Sequence, residues 1–206
     1  MEVNIMLKGS KNLAKLQEII GSTLARIPVS ANAWTVLSFI AGLCGFGSLY
    51  YQSLLPGLAF FTLSFALDAV DGAVARAKKQ VSAKGAFLDG MLDRLNEFFL
   101  LLGLMFYPFP AFIMPASFWL LMILFFGTCM TSFVKAYAEH SGALSHERAM
   151  RLPGVLERPE RAVTLLAAML VALFSPQLAS MAFAFVSALC FLTFAERFFT
   201  VLIRSE

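Results

Sequence analysis

The sequence predicts an all-α integral membrane protein: six transmembrane helices preceded by an N-terminal interfacial amphipathic helix, with both termini cytoplasmic. Three observations carry this expectation. The chain of 206 residues is 59% hydrophobic, with a mean hydropathy of +0.77, where a soluble domain sits at about 45–50% apolar. No Lys, Arg, Asp or Glu occurs in residues 27–67, 98–134 or 162–195, and runs of roughly 34–41 residues are too long for one span of about 20. Turn-formers break each run near its middle, at residues 52–57, 108–117 and 175–180, so each reads as two helices joined by an uncharged turn. The basic residues lie toward the other side of the membrane. They include Lys8, Lys11, Lys15 and Arg26; Arg76, Lys78, Lys79 and Lys84; Lys135, Arg148, Arg151, Arg158 and Arg161; Arg197 and Arg204. The positive-inside rule makes that side cytoplasmic. The net charge of +3 is thus a topology signal and does not point to a nucleic-acid partner.

Residues 11–26 carry Leu13, Leu16, Ile20 and Leu24 at helical spacing, with Lys11, Lys15 and Glu18 interleaved. A basic amphipathic helix before a span is expected to lie in the interface plane. The first thirty residues lack the apolar core and small-residue cleavage site of a signal peptide. Ser30 is placed to cap the first span. The spans are expected at 32–52, 56–77, 86–107, 116–138, 159–175 and 179–200. Two regions follow: a cytoplasmic and interfacial segment over 1–30, and one six-helix membrane domain over 31–206. Gly42, Gly45 and Gly47 on the first helix, and the alanines of the second, suit close helix approach in lipid. Cys44, Cys129 and Cys190 all fall in apolar spans and read as packing thiols rather than a disulfide scaffold. His140 and His146 fall in the longest cytoplasmic connection, 139–158, and read as solvated loop residues.

The chemistry concentrates in residues 68–93. Asp68 and Asp71 are spaced i, i+3, and Asp89 and Asp93 i, i+4, so each pair projects from one helix face. A carboxylate at membrane depth costs roughly 2.5–3.5 kcal/mol on insertion scales, so four need compensation. Four convergent carboxylates supply the oxygen ligands that Mg²⁺ prefers. They also suffice for two metals about 3.5–4 Å apart, the arrangement that steadies attacking and leaving oxygens in phosphoryl transfer. Gly72 shares the face of Asp68 and leaves room for a ligand, and Arg76 can pair with a phosphate. Two rival readings of these residues are an acidic cluster paired with Arg76, Lys84 and Arg94, or a cation or proton transporter. Transporters tend to show interrupted helices or inverted repeats, and neither is visible in the sequence. A third alternative is a membrane scaffold without activity.

The stretch matches D-x2-D-G-x2-A-R-x8-G-x3-D-x3-D at every fixed position, from Asp68 to Asp93. In this it resembles the CDP-alcohol phosphotransferase family, whose six spans and interfacial helix also agree with the reading above. The resemblance implies a metal-dependent enzyme of phospholipid biosynthesis. It would transfer a phosphate-bearing group, phosphatidyl or archaetidyl, from a CDP-linked lipid donor to a small polar alcohol, releasing CMP. It further implies Mg²⁺ or Mn²⁺ as cofactor, two ions held by Asp68, Asp71, Asp89 and Asp93, with Asp93 also accepting the alcohol's proton. Asn32, Asp68, Gly72, Ala75, Arg76 and Gly85 would bind the CDP group. Asn32 and Thr35 match a secondary family pattern of Pro-Asn, two residues, Thr, with Ala31 where proline is common. Family members are commonly homodimers, and the same is expected here, in the cell membrane with the active site facing the cytoplasm.

The acceptor is read from a different region. Lys135 ends the fourth span, and Arg158 and Arg161 begin the fifth, with Pro159 in a helix's first turn. A cation near a helix N-terminus favours an anion, so these three residues are expected to hold an acceptor phosphate. Their segments resemble the inositol-phosphate-using branch, which often shows Lys-Ala-Arg-Ala-Glu and then Glu-Arg-Ala-Glu-Arg. Here Tyr137 stands for the arginine and Pro159 for the alanine. The resemblance implies inositol phosphate as acceptor, with phosphatidylglycerophosphate, phosphatidylserine and di-inositol-phosphate synthases as the alternatives.

Overall fold

A computed structural model of the protein describes Thr23, residues 29–78 and residues 82–204. Apart from Thr23, the expected interfacial helix over 11–26 lies outside the described residues. These fold as helices α1 (Ala31–Tyr50), α2 (Leu54–Ala77), α3 (Ala83–Phe106) and α4 (Ala116–Met122). A π-helical segment, Ile123–Met130, then runs into α5 (Thr131–His140), followed by α6 (His146–Met150), α7 (Arg158–Ala172) and α8 (Pro176–Arg204). Among the described residues, four stretches are long and apolar enough to cross a membrane: Asn32–Tyr50, Leu54–Ala77, Ala116–His140 and Pro176–Ile203. They coincide with the first, second, fourth and sixth expected spans. The expected third and fifth fall on α3 and α7. The 24 residues of α3 would reach roughly 36 Å, but they include Lys84, Asp89, Asp93, Arg94 and Glu97. Helix α7 has 15 residues and opens on Arg158, Glu160 and Arg161. Leu37, Ile40, Leu63, Phe125, Phe185, Leu192 and Ile203 all face outward. Apolar surface on this scale suits hydrocarbon better than water.

The described residues divide into two compact units, one up to Leu100 and one from Leu101 onward. In the first, Ser30 caps α1 as expected, its hydroxyl accepting from the Ala33 N–H at 3.3 Å. The α1–α2 turn is tighter than the sequence suggests. It occupies residues 51–53, with Gln52 in the left-handed region at φ 57°. Helices α1 and α2 are locked by a reciprocal pair: Ser38 Oγ donates to the Ser64 carbonyl and Ser64 Oγ to the Ser38 carbonyl, each at 2.9 Å. Asn96 of α3 joins them, its Nδ2 donating to Ser38 Oγ at 3.2 Å. Such bonds between helices hold a bundle together where lipid supplies no hydrophobic drive. Two glycines of α1 permit this approach. A Cβ on Gly42 would collide with Asn96 Oδ1, and one on Gly45 would lie 2.8 Å from the ring of buried Phe61. Gly47, by contrast, borders open space.

In the second unit, the connection before α4 is fixed by the Trp119 indole N–H, which donates to the Phe112 carbonyl at 2.9 Å. The Ser180 hydroxyl of α8 donates to the Pro110 carbonyl at 2.7 Å. The ring of Phe126, in the π segment, lies between those of Phe191 and Phe194 of α8, with centroids 5.1 and 5.3 Å away. The π segment has no signature in the sequence. Nothing in its apolar run distinguishes a wide turn from an α-turn. His140 ends α5 and His146 opens α6, where its Nδ1 lies 3.0 Å from Glu139.

Candidate functional site

Helices α2 and α3 bring three of the four aspartates together. Carboxylate oxygens of Asp68, Asp71 and Asp89 all lie within 4.8 Å of one another. Asp71 is buried and Asp68 and Asp89 are half-buried. Asp93 lies one turn beyond Asp89 on α3, 8% exposed, outside that group of three. Thr35 of α1 hydrogen-bonds the Asp71 side chain. The other Asp71 oxygen, Oδ2, is buried with no hydrogen-bond partner among the described residues. Three mutually repelling carboxylates and an orphaned buried oxygen fit a divalent cation held by oxygen ligands.

The cluster borders a cavity of about 290 Å³, lined by Asn32, Thr35, Asp71, Gly72, Ala75, Arg76, Ser82, Gly85, Ala86 and Asp89. Six residues expected from the sequence therefore line one space beside Asp71: Asn32, Gly72, Ala75, Arg76, Gly85 and the metal-site residue Asp89. Small side chains make the room. A Cβ on Gly72 would meet nothing closer than Arg76 Nη1 at 3.6 Å, so it would occupy the cavity rather than strain the protein. Gly85 is tighter: a Cβ there would lie 3.1 Å from Ser82 Oγ and 3.2 Å from Asn32 Oδ1. Ser82 caps α3, its hydroxyl accepting from the Gly85 N–H at 3.0 Å. Ser82 and Ala86 are lining residues that the sequence pattern does not single out, and Thr35 enters it only beside Asn32. The available signals are Thr35 one turn after Asn32, and a serine three residues before Gly85.

The profile of the CDP-alcohol phosphatidyltransferase family matches residues 28–195. The chain belongs to this family. It is therefore a transferase of phospholipid synthesis rather than a transporter, and its apolar helices make it a multi-pass membrane protein. It is 28% identical over 184 residues to an archaetidylinositol phosphate synthase of Aeropyrum pernix, covering 89% of each chain. It is 31% identical over 183 residues to the enzyme of that name from Methanothermobacter thermautotrophicus, covering 88% of each. Among solved structures, it resembles the Mycobacterium tuberculosis phosphatidylinositol phosphate synthase with CDP-DAG bound. There the TM-score is 0.74 at 26% identity, over 91% of this chain and 94% of that one. The same enzyme in complex with manganese and citrate gives a TM-score of 0.74 over 90% and 88%.

The three cations expected at the acceptor belong to the second unit. Lys135 lies in α5, its Nζ 4.0 Å from Glu157 Oε1. Glu157 stands at the N-cap position of α7 without a side-chain capping bond, and Arg158 is that helix's first residue, with Pro159 in the first turn as the sequence predicts. Arg161 is only 3% exposed. Its side chain packs over the π segment, where a Cβ on Gly127 would lie 3.1 Å from Arg161 Cδ. The guanidinium of Arg161 is thus held in the protein rather than spread in solvent, which a span-end charge would not lead one to expect.

Proposed function

We propose that this transferase moves a phosphatidyl or archaetidyl group from a CDP-linked lipid to inositol phosphate and releases CMP. The observation that carries the proposal is the Asp68–Asp71–Asp89 cluster opening on a cavity with Arg76 and two glycines on its wall. The acceptor assignment is supported by the names of the relatives, archaetidylinositol and phosphatidylinositol phosphate synthases.

In this reading Asp68, Asp71 and Asp89 hold one or two Mg²⁺ or Mn²⁺ ions, with Asp93 as a further ligand. Bound metal would neutralise the diphosphate and polarise its phosphorus. Arg76 pairs with the diphosphate oxygens. Gly72, Ala75 and Gly85 admit the nucleotide by leaving no side chain in its way, and Asn32 offers it an amide. The acceptor hydroxyl attacks the phosphorus bearing the lipid. A new P–O bond forms, the phosphoanhydride bond to CMP breaks, and the hydroxyl proton passes to the Asp93 carboxylate. Lys135, Arg158 and Arg161 hold the acceptor's phosphate. The protein spans the cell membrane six times, α3 and α7 being the two less apolar spans. Its site faces the cytoplasm, where soluble acceptor and nucleotide meet membrane lipid, and it works as a homodimer.

Offering the detergent-solubilised protein CDP-lipid, Mn²⁺ and one labelled acceptor at a time tests the assignment. The acceptors are inositol phosphate, glycerol phosphate, serine and inositol. Label from inositol phosphate should enter lipid with one CMP released per turnover. Preferential incorporation of any other acceptor would overturn the choice of inositol phosphate while leaving the transferase intact. Parallel reactions with diacyl and diether donors decide between phosphatidyl and archaetidyl transfer.

A further inference from the structure

Helix α2 ends on a lysine that reaches back to the residue before the cap of α1. Lys78 stands at the C-cap of α2, where its backbone N–H donates to the Val74 carbonyl at 2.9 Å. The helix dipole favours a cation at that end. The side chain, however, leaves its own helix: Nζ donates to the Val29 carbonyl at 2.5 Å, across 49 residues of chain. Val29 immediately precedes Ser30, the cap of α1, and lies on the N-terminal side of Asn32. Lys78 closely follows Arg76. The bond therefore joins the beginning of the helix that carries Asn32 to the end of the helix that carries Arg76.

Asn32 and Arg76 both line the cavity beside Asp71, whereas Lys78 lies outside that lining. Asn32 has little room to compensate for a shift of its helix. Gly85, at the start of α3, lies against its amide, so that a Cβ there would come 3.2 Å from Asn32 Oδ1. The Ser38–Ser64 pair also ties α1 to α2, but it does so roughly 9 Å along the helix from Asn32. The Lys78 bond acts at the first turn, where the residues of the cavity begin. A charged donor makes it one of the stronger kinds of hydrogen bond. It holds a flexible four-carbon stem in one place against the entropy that would free it.

We propose that Lys78 is a positioning residue for the donor's nucleotide: by holding the Val29 carbonyl to the end of α2 it fixes Asn32 relative to Arg76, without touching the CDP group. The proposal rests on the reading of Asn32 and Arg76 as CDP-binding residues. It predicts a defect confined to the nucleotide, seen with free CDP as well as with CDP-lipid. Binding of the acceptor, read as held through Lys135, Arg158 and Arg161, should be indifferent to Lys78.

The test measures KM for CDP-lipid and for inositol phosphate, and inhibition by free CDP, on the full-length protein in detergent with Mn²⁺. The variants are Lys78→Met, Asn32→Ala and the two combined. Lys78→Met should raise the CDP-lipid KM and the inhibition constant of free CDP about tenfold each, and leave the inositol phosphate KM within about twofold. In the Asn32→Ala background, Lys78→Met should add less than about twofold, because a residue that acts through Asn32 then has nothing left to position. Additive losses would mean that Lys78 meets the nucleotide directly, and they overturn the proposal. So does an unchanged CDP-lipid KM, or an equal rise for both substrates, which a purely structural role would give. If Lys78→Met is not recovered as a monodisperse protein, Lys78→Gln decides by the same criteria. Asn32→Ala separates the two levels. A nucleotide defect there without one at Lys78 sinks this proposal alone, whereas no nucleotide defect at Asn32 removes the reading on which it rests.

Discussion

The acidic region of α2 and α3 and the basic region around α7 handle buried charge in opposite ways. Asp68, Asp71 and Asp89 face one another within 4.8 Å, and one Asp71 oxygen is buried without a hydrogen-bond partner among the described residues. Around Glu157 the protein supplies its own counter-charges, with Arg197 at 3.0 Å and Lys135 at 4.0 Å. The first arrangement gathers carboxylate oxygens of the kind a divalent cation takes as ligands. In the second, a half-buried carboxylate and its cations come from parts of the chain far apart in sequence. The difference teaches what each can be used for. A close cluster of carboxylates suits metal-assisted chemistry, whereas a set of cations held by the protein suits discrimination among anionic acceptors.

Substitutions on the two sides should therefore fail differently. Removing a metal ligand with Asp89→Asn should lower CMP release by about 10³-fold, with no acceptor able to restore it. Asp93→Asn should lower kcat by about 10²-fold while Mn²⁺ still binds, since this residue is read chiefly as the proton acceptor. Full activity in that variant would break the assignment of the base. On the basic side, Arg161→Ala should raise the acceptor KM about tenfold and change kcat less, which steady-state kinetics at saturating CDP-lipid would resolve. Gly72→Ala should raise the CDP-lipid KM about tenfold with the fold intact, because the nearest atom to the new methyl is 3.6 Å away. An unchanged KM would mean that the nucleotide does not approach Gly72. Ser38→Ala sharpens the comparison by lying in neither region. It should destabilise the helix lock by roughly 0.6 kcal/mol, visible as a lower melting temperature in detergent, and leave both KM values alone.

The acidic side is legible in the sequence because most of what builds it is local, Asn32 and Thr35 of α1 being the exceptions. The i, i+3 and i, i+4 spacings place carboxylates on helix faces, Gly72 and Gly85 open space beside them, and residues 68–93 suffice to write the pattern. The three uncharged runs likewise mark the helical pairs, and Ser30 marks the start of α1. What the sequence hides depends on contacts far apart in the chain. The π segment at Ile123–Met130 is one such place, with Arg161 and Cys190 lying close against its Gly127. Arg197 reads only as one more positive charge at a span end, because its partners Thr131, Pro153 and Glu157 lie 40 to 66 residues away. Hydropathy marks α3 and α7 weakly because Asp89 and Asp93 make the first polar and Arg158, Glu160 and Arg161 the second.

The central claim is that the Asp68–Asp71–Asp89 cluster holds the divalent metal on which transfer depends. Mn²⁺ binding followed by electron paramagnetic resonance, alongside CMP release from CDP-lipid, tests it in wild type and in Asp71→Asn. Metal-free wild type should be inactive, and added Mn²⁺ should restore CMP release over the same concentration range in which it binds. Asp71→Asn should lose both together while remaining folded. Metal-dependent CMP release at the wild-type rate and wild-type Mn²⁺ affinity in Asp71→Asn would contradict the claim.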